Sequence, residues 1–310
     1  MASVIAPSHR IPRTLVLGEV LVDAICEHPV ARFEEVDGFV PHLGGAKANV
    51  SVVVARHGGR AALAGVVGAD PWGRWLRRRL AVEGVDLDWL LSVDGVATPV
   101  AFVTTDADAE PSYAFHGAGL TPGFGALAAV IEPAVDGCDA LFLGTSMQVE
   151  RDHREVARTA RARALERGMP VVFDPNLRLD LWADPADAIA VAREGVPGAF
   201  LVKANRGELR MLTGEDDPIA GARALLGAGA ANVVVTLGPD GALLVADGVE
   251  RTVPGVAARA VNATGAGDTI AGVLLARLAR DGWATATLAG ALPEAVAAAA
   301  RSTESWGAVS

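Results

Sequence analysis

The 310-residue sequence is poor in cysteine, in aromatic residues and in positive charge. Two cysteines are too few for a disulfide scaffold, and aromatic residues make up 5% of the chain, with a single tyrosine. Lysine and arginine number 27 against 37 acidic residues, so the formal net charge is −10, which argues against a nucleic-acid or anionic-membrane partner. A nucleotide ligand remains compatible with this charge, because a local group of backbone amides can bind phosphate.

A long uninterrupted apolar run is also lacking. Residues 1–13 contain no apolar core of a secretory signal, and we expect them to form a short mobile tail. The apolar C-terminal segment is interrupted by Pro293 and Glu294, which indicates a buried helix and not a membrane span. These features predict a cytoplasmic protein with no membrane partner.

Several motifs that carry chemistry are missing from the sequence. There is no G-x-x-x-x-G-K-[S/T], so a phosphoryl transfer of the P-loop type is excluded. No G-x-G-x-x-G follows the first apolar strand, so a dinucleotide-binding fold is unsupported. Neither G-x-S-x-G nor H-E-x-x-H occurs, which argues against the corresponding hydrolases and metalloproteases.

What the sequence does contain is a regular alternation of strand and helix patterns. This alternation predicts an α/β domain over residues 14–310, with a mostly parallel sheet covered on both faces. Two stretches, at about 21–43 and 97–118, have strand character without intervening helices; they predict a small antiparallel sheet outside the main domain, either a lid over the site or an edge extension. The predicted strands are 14–22, 61–67, 140–143, 170–173, 199–202 and 232–237, and the predicted helices are 46–56, 71–83, 152–167, 186–194, 206–213 and 218–226.

The most informative segment is the glycine turn at residues 262–268, which opens a helical pattern. Gly265, Ala266 and Gly267 let the backbone turn tightly and bring its amides close to an anion. A helix N-terminus also has unpaired N–H donors and partial positive charge, which suits a phosphate. Asp268 beside such a site is unfavourable unless it removes a proton from a group that attacks the phosphate. The alternative is an ordinary turn with an aspartate at the helix start.

Two N-terminal segments are candidates for binding a polyol. Gly44 and Gly45 form a second glycine turn, and Asn49 lies on or beside the apolar stripe of the following helix, where its amide needs partners. Asp23 shares an alternating face with apolar neighbours, where a pair of sugar hydroxyls would satisfy its carboxylate. The alternatives are a helix-capping network for the turn and simple solvent exposure for Asp23.

Two C-terminal segments are candidates for the nucleotide and its metal. Asn205 and Glu208 follow an apolar strand and offer oxygen atoms of the type that Mg²⁺ takes, often through water. An N-x-x-E pattern is also a helix capping box, and the two roles can coexist. The strand and turn from Thr236 through Gly238 to Gly241 either border a nucleotide or form a plain hairpin turn.

Taken together, these motifs resemble the ribokinase-like (PfkB) family of sugar and nucleoside kinases. The similarity extends from about residue 14 to about residue 307. Residues 44–49, continued by 64–73 and 83–86, are similar to the N-terminal signature of the family, and residues 264–268 to the core of its C-terminal signature. The co-occurrence of the two signatures in this order is specific, whereas each alone is weak.

The resemblance implies a doubly wound α/β domain with a β-sheet lid that often forms a homodimer interface, and transfer of the ATP γ-phosphoryl group to a sugar hydroxyl. Asp268 matches the catalytic base, and Gly265, Ala266 and Gly267 match the anion hole. Mg²⁺ is implied at Asn205 and Glu208, through water. The implied sugar-binding residues are Asp23, Gly44, Gly45, Asn49, Phe102 and Arg178. The implied nucleotide-binding residues are Lys203, Asn205, Thr236, Gly238, Gly241 and Thr264.

One position departs from the family pattern, and the substrate stays open. Asn262 stands where the C-terminal signature usually begins with Asp, in a region that contributes to a monovalent-cation site in many relatives, so K⁺ activation is in doubt. The segment 173–178 is similar to the fructokinase and 2-keto-3-deoxygluconate kinase branches, where Arg178 would reach a substrate carboxylate or be structural. A phosphorylated sugar also stays open as the substrate, because the basic side chain of Lys47 would suit its phosphate. A nucleoside kinase and a non-catalytic sugar or nucleotide sensor are the alternative functions.

Overall fold

The computed structural model describes residues 11–116 and 119–309. Of the tail predicted at residues 1–13, positions 1–10 lie outside this part, and Arg13 begins the first strand. The last two residues of the predicted segment 97–118 also lie outside it. Within the described ranges, no helix has the length and apolar character needed to cross a membrane.

The described residues form thirteen strands and nine α-helices. The strands are β1 (Arg13–Leu17), β2 (Leu21–Ile25), β3 (Val40–Gly44), β4 (Arg60–Gly68), β5 (Leu90–Val93), β6 (Val100–Thr105), β7 (Pro111–His116), β8 (Ala140–Gly144), β9 (Val171–Asp174), β10 (Leu201–Asn205), β11 (Asn232–Thr236), β12 (Gly241–Ala246) and β13 (Val249–Pro254). The helices are α1 (Ala46–Arg56), α2 (Pro71–Val82), α3 (Ile131–Asp136), α4 (Arg151–Glu166), α5 (Pro185–Glu194), α6 (Arg206–Thr213), α7 (Pro218–Gly227), α8 (Ala266–Asp281) and α9 (Thr285–Ser302).

Nine strands form one large sheet in the order β13-β12-β11-β10-β9-β8-β1-β4-β5. All neighbours from β11 to β5 are parallel, and β12 and β13 add an antiparallel edge. Strand β1 lies between β4 and β8. The chain forms β4 on one side of β1 first and β8 on the other side later. This reversal makes the carboxyl ends of β1 and β8 the topological switch point, where ligands bind in such folds.

Helices cover both faces of this sheet, as a doubly wound fold requires. On one face, α3 to α7 bury a core that includes Phe124, Leu141, Phe173 and Val233. On the other face, α1, α2, α8 and α9 bury a core of mostly Val, Leu and Ala side chains. The predicted fold class is therefore confirmed.

A second, smaller sheet has the order β3-β2-β6-β7 and its own apolar cluster. Its outer pairs are antiparallel, as predicted, and its central pair β2–β6 is parallel. The single strand predicted over 14–22 was wrong. The chain leaves the large sheet after Leu17, Gly18 turns at φ +155°, and β2 belongs to the small sheet.

Candidate active site

Two cavities meet at the start of helix α8. One, of about 510 Å³, lies between the small sheet and the switch point; we call it the sugar cleft. The other, of about 650 Å³, lies between the β11–β12 turn and helix α9; we call it the nucleotide cavity. Both are lined by Thr236, Gly238, Ala263, Ala266 and Gly267. A ligand in each cavity would therefore approach the other at the glycine turn.

The glycine turn has a backbone that requires its glycines. Gly265 caps α8 at φ +79°, and a Cβ there would lie 2.2 Å from Cβ of Ala308. The first-turn N–H groups of α8 have no partner within the helix, and the helix dipole adds positive potential at the same place. Residues 265–268 thus offer N–H donors suited to an anion where the two cavities meet, and we call them the anion-binding turn after the role predicted for this segment.

Asp268 lies in the first turn of α8 and lines the sugar cleft. Its Oδ2 accepts a hydrogen bond from Nδ2 of Asn49 at 3.0 Å. Burial raises the pKa of Asp268 to about 6, against the lowering effects of the Asn49 bond and the charge of Lys203. A carboxyl group with a pKa just below neutrality is suited to accept a proton at physiological pH.

This pKa gives a direct pH prediction. Asp268 accepts a proton only in its ionised form, so kcat should fall about tenfold per pH unit below about pH 6. Replacing Asn49 by Ala removes a donor that favours the ionised form, and the acid limb should move to higher pH. The kcat–pH profiles of both proteins between pH 4.5 and 9 test this. An acid limb that stays at the same pH in the variant would contradict it.

Asp23 faces the same cleft from β2 and is 4% exposed. Burial, together with the negative charge of Asp268, raises its pKa to about 8. Gly44 lies directly against it, since a Cβ on Gly44 would come within 2.4 Å of the Asp23 carboxyl carbon. Asn49 adds a buried Oδ1 that has no hydrogen-bond partner among the described residues. These oxygen atoms are placed to receive ligand hydroxyls.

Arg178 lines the sugar cleft, and its positive charge opposes the rise that burial causes in the pKa of Asp23. Lys47 is also close, but it is 1% exposed and lies 3.6 Å from a Glu19 carboxylate oxygen and 3.2 Å from Ser146 Oγ. Burial would raise the pKa of Glu19, yet the charges of Lys47 and Arg178 and the hydrogen bonds that Glu19 accepts, one of them from Ser146, together lower it. Because its ammonium is buried and paired with the Glu19 carboxylate, Lys47 is not available to bind the phosphate of a phosphorylated sugar.

The position predicted for Phe102 was wrong. On β6, Ala101 and Val103 pack into the core of the small sheet, and Phe102 points to the opposite face. Its ring meets Phe39 edge-on, with centroids 4.9 Å apart. The aromatic side chains that line the cleft come from the next strand, as Tyr113 and Phe115, whose rings stack at 5.9 Å.

Lys203 lies beneath the glycine turn. Its Nζ is 3.0 Å from Asp174 Oδ2, and a Cβ added at Gly267 would lie 2.8 Å from the same nitrogen. Burial lowers the pKa of the Lys203 ammonium, but the charges of Asp174 and Glu208 outweigh burial and raise it. The ammonium therefore stays charged and adds positive potential to the anion-binding turn.

Asn205 and Glu208 form a complete capping box at the start of α6. Glu208 Oε2 accepts from the Asn205 backbone N–H and its Oε1 from the Leu177 backbone N–H, both at 2.9 Å. Burial, together with the charge of Asp174, raises the pKa of Glu208. Both oxygens thus already serve the fold, while the exposed Asn205 and the Glu208 carboxylate line the cleft. This arrangement fits a metal contact through water better than direct ligation.

Of the remaining predicted nucleotide residues, Thr236, Gly238 and Gly241 line the nucleotide cavity, whereas Thr264 does not. Thr236 ends β11, and Gly238 turns at φ +63° with open space where a side chain would be. Gly241 is held by the hairpin, since a Cβ there would meet the Val253 carbonyl. Thr264 lines the sugar cleft beside the glycine turn. The segment from Thr236 to Gly241 is therefore both a tight connection between the antiparallel strands β11 and β12 and a wall of the nucleotide cavity.

Sequence reasoning missed the apolar wall of the nucleotide cavity. On α9 this wall consists of Val296, Ala299, Ala300 and the adjoining Thr303. Their spacing of i, i+3, i+4 and i+7 marks one face of a helix. The pattern is visible in the sequence, but it also describes an ordinary core face, so it gives no signal for a ligand by itself.

Comparisons with known proteins agree with this geometry. A protein-family model described as pfkB family carbohydrate kinase matches residues 12–310. Fructokinase-1 of Zea mays is 34% identical over 274 residues, covering 85% of this chain and 82% of the relative. Fructokinase-2 of Solanum habrochaites is 32% identical over 270 residues, covering 85% and 81%.

Solved structures give the same picture. A fructokinase double mutant from Vibrio cholerae O395, with fructose, ADP and potassium ion bound, superposes with a TM-score of 0.85 and 30% identity, covering 97% of this chain and 94% of that chain. Aminoimidazole riboside kinase from Salmonella enterica, with aminoimidazole riboside and an ATP analogue, gives a TM-score of 0.81 at 28% identity, covering 96% and 95%.

Proposed function

The chain belongs to the pfkB family of carbohydrate kinases and is an ATP-dependent sugar kinase, and from this premise we propose that fructose is its sugar. The fructokinases among its relatives carry this choice, because they align over most of both chains. The polar side chains of the sugar cleft, which include Asp23, Asn49 and Arg178, support it because they can bind sugar hydroxyls. Neither the nucleoside kinase nor the non-catalytic sensor is favoured by these relatives.

In the proposed reaction, Asp268 is the general base. Its carboxylate removes the proton from the acceptor hydroxyl as that oxygen attacks the γ-phosphorus, and ADP leaves on the opposite side. The amides of the anion-binding turn and the Lys203 ammonium stabilise the negative charge on the transferred group. Asp23 and Asn49 hold the sugar hydroxyls so that one of them faces Asp268. The observation that carries this assignment is that both cavities are lined by Ala266 and Gly267, directly before Asp268 in the sugar cleft.

Magnesium fits the site through water. Asn205 and Glu208 would hold its hydration shell, and the buried Asp174 Oδ1 has no hydrogen-bond partner within the described part of the chain. No group of three or more His, Cys, Asp or Glu residues in that part could hold a metal by itself, which suits an ion carried largely by nucleotide phosphates. When bound, Mg²⁺ neutralises charge between the phosphates of ATP.

A substrate panel tests the proposed sugar. ADP release is measured with fructose, 2-keto-3-deoxygluconate, ribose, adenosine and inosine, each at several concentrations. The proposal predicts the highest kcat/KM with fructose. The measurement with 2-keto-3-deoxygluconate tests whether Arg178 binds a substrate carboxylate. A higher kcat/KM with this sugar acid, or with a nucleoside, than with fructose would overturn the choice of fructose.

We propose that activity does not require K⁺. Asn262 is fully buried, its Oδ1 accepts from the Thr264 backbone N–H at 2.8 Å, and its Nδ2 donates to Thr105 Oγ1 at 2.9 Å. A neutral side chain with both polar ends bound inside the protein offers little to a cation. Replacing K⁺ by Na⁺ or by tetramethylammonium at constant ionic strength should change kcat by less than about twofold. A tenfold loss without K⁺ would contradict this.

We propose that the small sheet, from the segments at about 21–43 and 97–118, is a lid on a single kinase domain of residues 14–310, and that it also forms a homodimer interface. Its outer face carries an aromatic row in which Phe33 and Phe39 lie 5.8 Å apart and Phe39 contacts Phe102. Phe33 is 44% and Val40 is 42% exposed, which is unfavourable for a monomer. A cytoplasmic location is proposed because ATP is available there.

The dimer is tested by light scattering after size-exclusion chromatography. The wild-type protein should elute at twice the chain mass of 31.8 kDa. Phe39→Asp places a charge in the centre of the aromatic row and should give a monomer, whereas Val82→Asp on an exposed face of α2 should leave the mass unchanged. A wild-type monomer at all concentrations would contradict the proposal.

A further inference from the structure

Three consecutive residues join the glycine turn to the small sheet. Asn262 Nδ2 donates to Thr105 Oγ1 at 2.9 Å, and the Ala263 N–H donates to the Ala109 carbonyl at 3.0 Å. The hydroxyls of Thr264 and Tyr113 are hydrogen bonded at 3.2 Å. These bonds reach the end of β6, the hairpin tip and β7 in turn. The segment that leads into the anion-binding turn is thus fastened to the β6–β7 hairpin.

Asn262 differs from its two neighbours because its side chain bonds in both directions. It is fully buried between the hairpin and the turn. Its Oδ1 accepts from the Thr264 N–H, one residue before Gly265, and its Nδ2 donates to the lid strand. An amide side chain offers an acceptor and a donor on one rigid plane. Asn262 therefore links the conformation of the turn to the position of the hairpin.

The hairpin tip is built to meet this segment. Asp106 Oδ1 accepts from the backbone N–H groups of Asp108 and Glu110 at 2.9 and 3.0 Å. Ala109 has φ +65°, a conformation that residues with a side chain rarely adopt, and it thereby presents its carbonyl to Ala263. Ala109 and Glu110 also line the nucleotide cavity. A shift of the hairpin would consequently move a wall of that cavity and the turn together.

We propose that Asn262 is a positioning residue for phosphoryl transfer, which holds the anion-binding turn in register with the β6–β7 hairpin. The inference rests on the proposed function of residues 265–268 and assigns no contact between Asn262 and substrate. A residue of this kind acts on the arrangement reached in the transition state. Its loss should therefore lower kcat and leave the KM values of sugar and ATP nearly unchanged.

The kinetic test uses Asn262→Ala, Thr105→Val and the double variant, with Thr105→Ser as the matched control that keeps the hydroxyl. Thr105→Val should lower kcat roughly tenfold, the effect of one buried hydrogen bond, and Asn262→Ala, which also removes the bond from the Thr264 N–H, should lower kcat by at least as much, with both KM values within about threefold of wild type. The double variant should be no slower than Asn262→Ala, because both changes remove the same bond. Thr105→Ser should turn over at nearly the wild-type rate.

A spectroscopic readout separates positioning from a general loss of stability. Tyr113 is the single tyrosine of the chain, so 3-fluorotyrosine gives one ¹⁹F resonance at the hairpin–turn contact. With fructose and ADP present, wild type and Thr105→Ser should show one matching resonance. Asn262→Ala and Thr105→Val should show a shifted or second resonance, since the hairpin is no longer held at the turn.

The possible outcomes are distinct. Wild-type kcat in Asn262→Ala, multiplicative losses in the double variant, or ¹⁹F spectra identical to wild type would each overturn the inference. If Asn262→Ala does not fold, the Thr105→Val and Thr105→Ser pair decides alone, by the same kcat and ¹⁹F criteria. If Asp268→Asn retains full turnover, it is the proposed function of the turn that fails, whatever the Asn262 variants do.

Discussion

Asp268→Asn is expected to lower kcat by roughly 10²–10⁴-fold, the usual contribution of a general base. The substitution keeps the shape of the side chain and an oxygen to accept from Asn49 Nδ2. The KM values of fructose and ATP should change little, because the variant removes proton transfer and leaves both cavities intact. Steady-state ADP release under saturating substrates gives the comparison.

The same variant should remain folded. Burial raises the pKa of Asp268 to about 6, so the ionised side chain is unfavourable in the folded protein and its neutral counterpart is tolerated. Thermal unfolding at pH 7.5 should therefore give a Tm equal to or above that of wild type. Asp281→Asn at the exposed end of the same helix is the matched control and should keep wild-type turnover. Turnover of Asp268→Asn within tenfold of wild type would contradict its assignment.

Asp23→Asn is expected to give the second large effect, on the sugar. Asn replaces one carboxyl oxygen by an NH2 group, so a sugar hydroxyl that donates to Asp23 loses its acceptor; a buried polar group left unpaired costs about 1–3 kcal/mol, which should lower kcat/KM for fructose roughly 10- to 10²-fold. Asp23 lines the sugar cleft and not the nucleotide cavity, so KM for ATP should stay nearly unchanged. An equal effect on both substrates would contradict a role confined to the sugar.

The same substitution should stabilise the protein in a pH-dependent way. The folded-state pKa of Asp23 is raised from 3.8 to about 8, mainly by burial. The folded protein therefore holds this proton more tightly than the unfolded chain, and stability is full in acid and is lost as the pH rises towards 8. Asn at this position does not ionise. The Tm of Asp23→Asn relative to wild type should increase from pH 5 to pH 8, and a constant difference would contradict the pKa assignment.

The parts of the site that the sequence predicted are those built from local contacts. The glycine turn, Asp268 and the N-x-x-E box each lie within a few residues, and backbone rules are enough to place them at helix starts. The capping box shows the limit of such rules. In the structure, N-x-x-E forms the helix capping box that the pattern itself predicts. A role in holding a metal depends instead on the groups that surround the box, which the pattern does not contain.

The parts that the sequence could not predict depend on contacts between distant segments. The apolar pattern runs on through Gly18, so it hides the point at which the chain passes from the large sheet to the small one. The face of Phe102 follows from the pairing of β6 with β2 and β7, which a period-two pattern does not determine. Lys47 finds Glu19 and Ser146 only after folding, because Ser146 lies 99 positions away.

The central claim is that Asp268 faces an acceptor hydroxyl and the terminal phosphorus of the nucleotide together. A crystal structure of Asp268→Asn with fructose and a non-hydrolysable ATP analogue tests it most directly. We expect one fructose hydroxyl about 3 Å from the side chain of residue 268 and in line with the γ-phosphorus, whose oxygens accept from the amides of the turn. Fructose held with every hydroxyl beyond reach of residue 268, or a γ-phosphate away from the turn, would contradict the account.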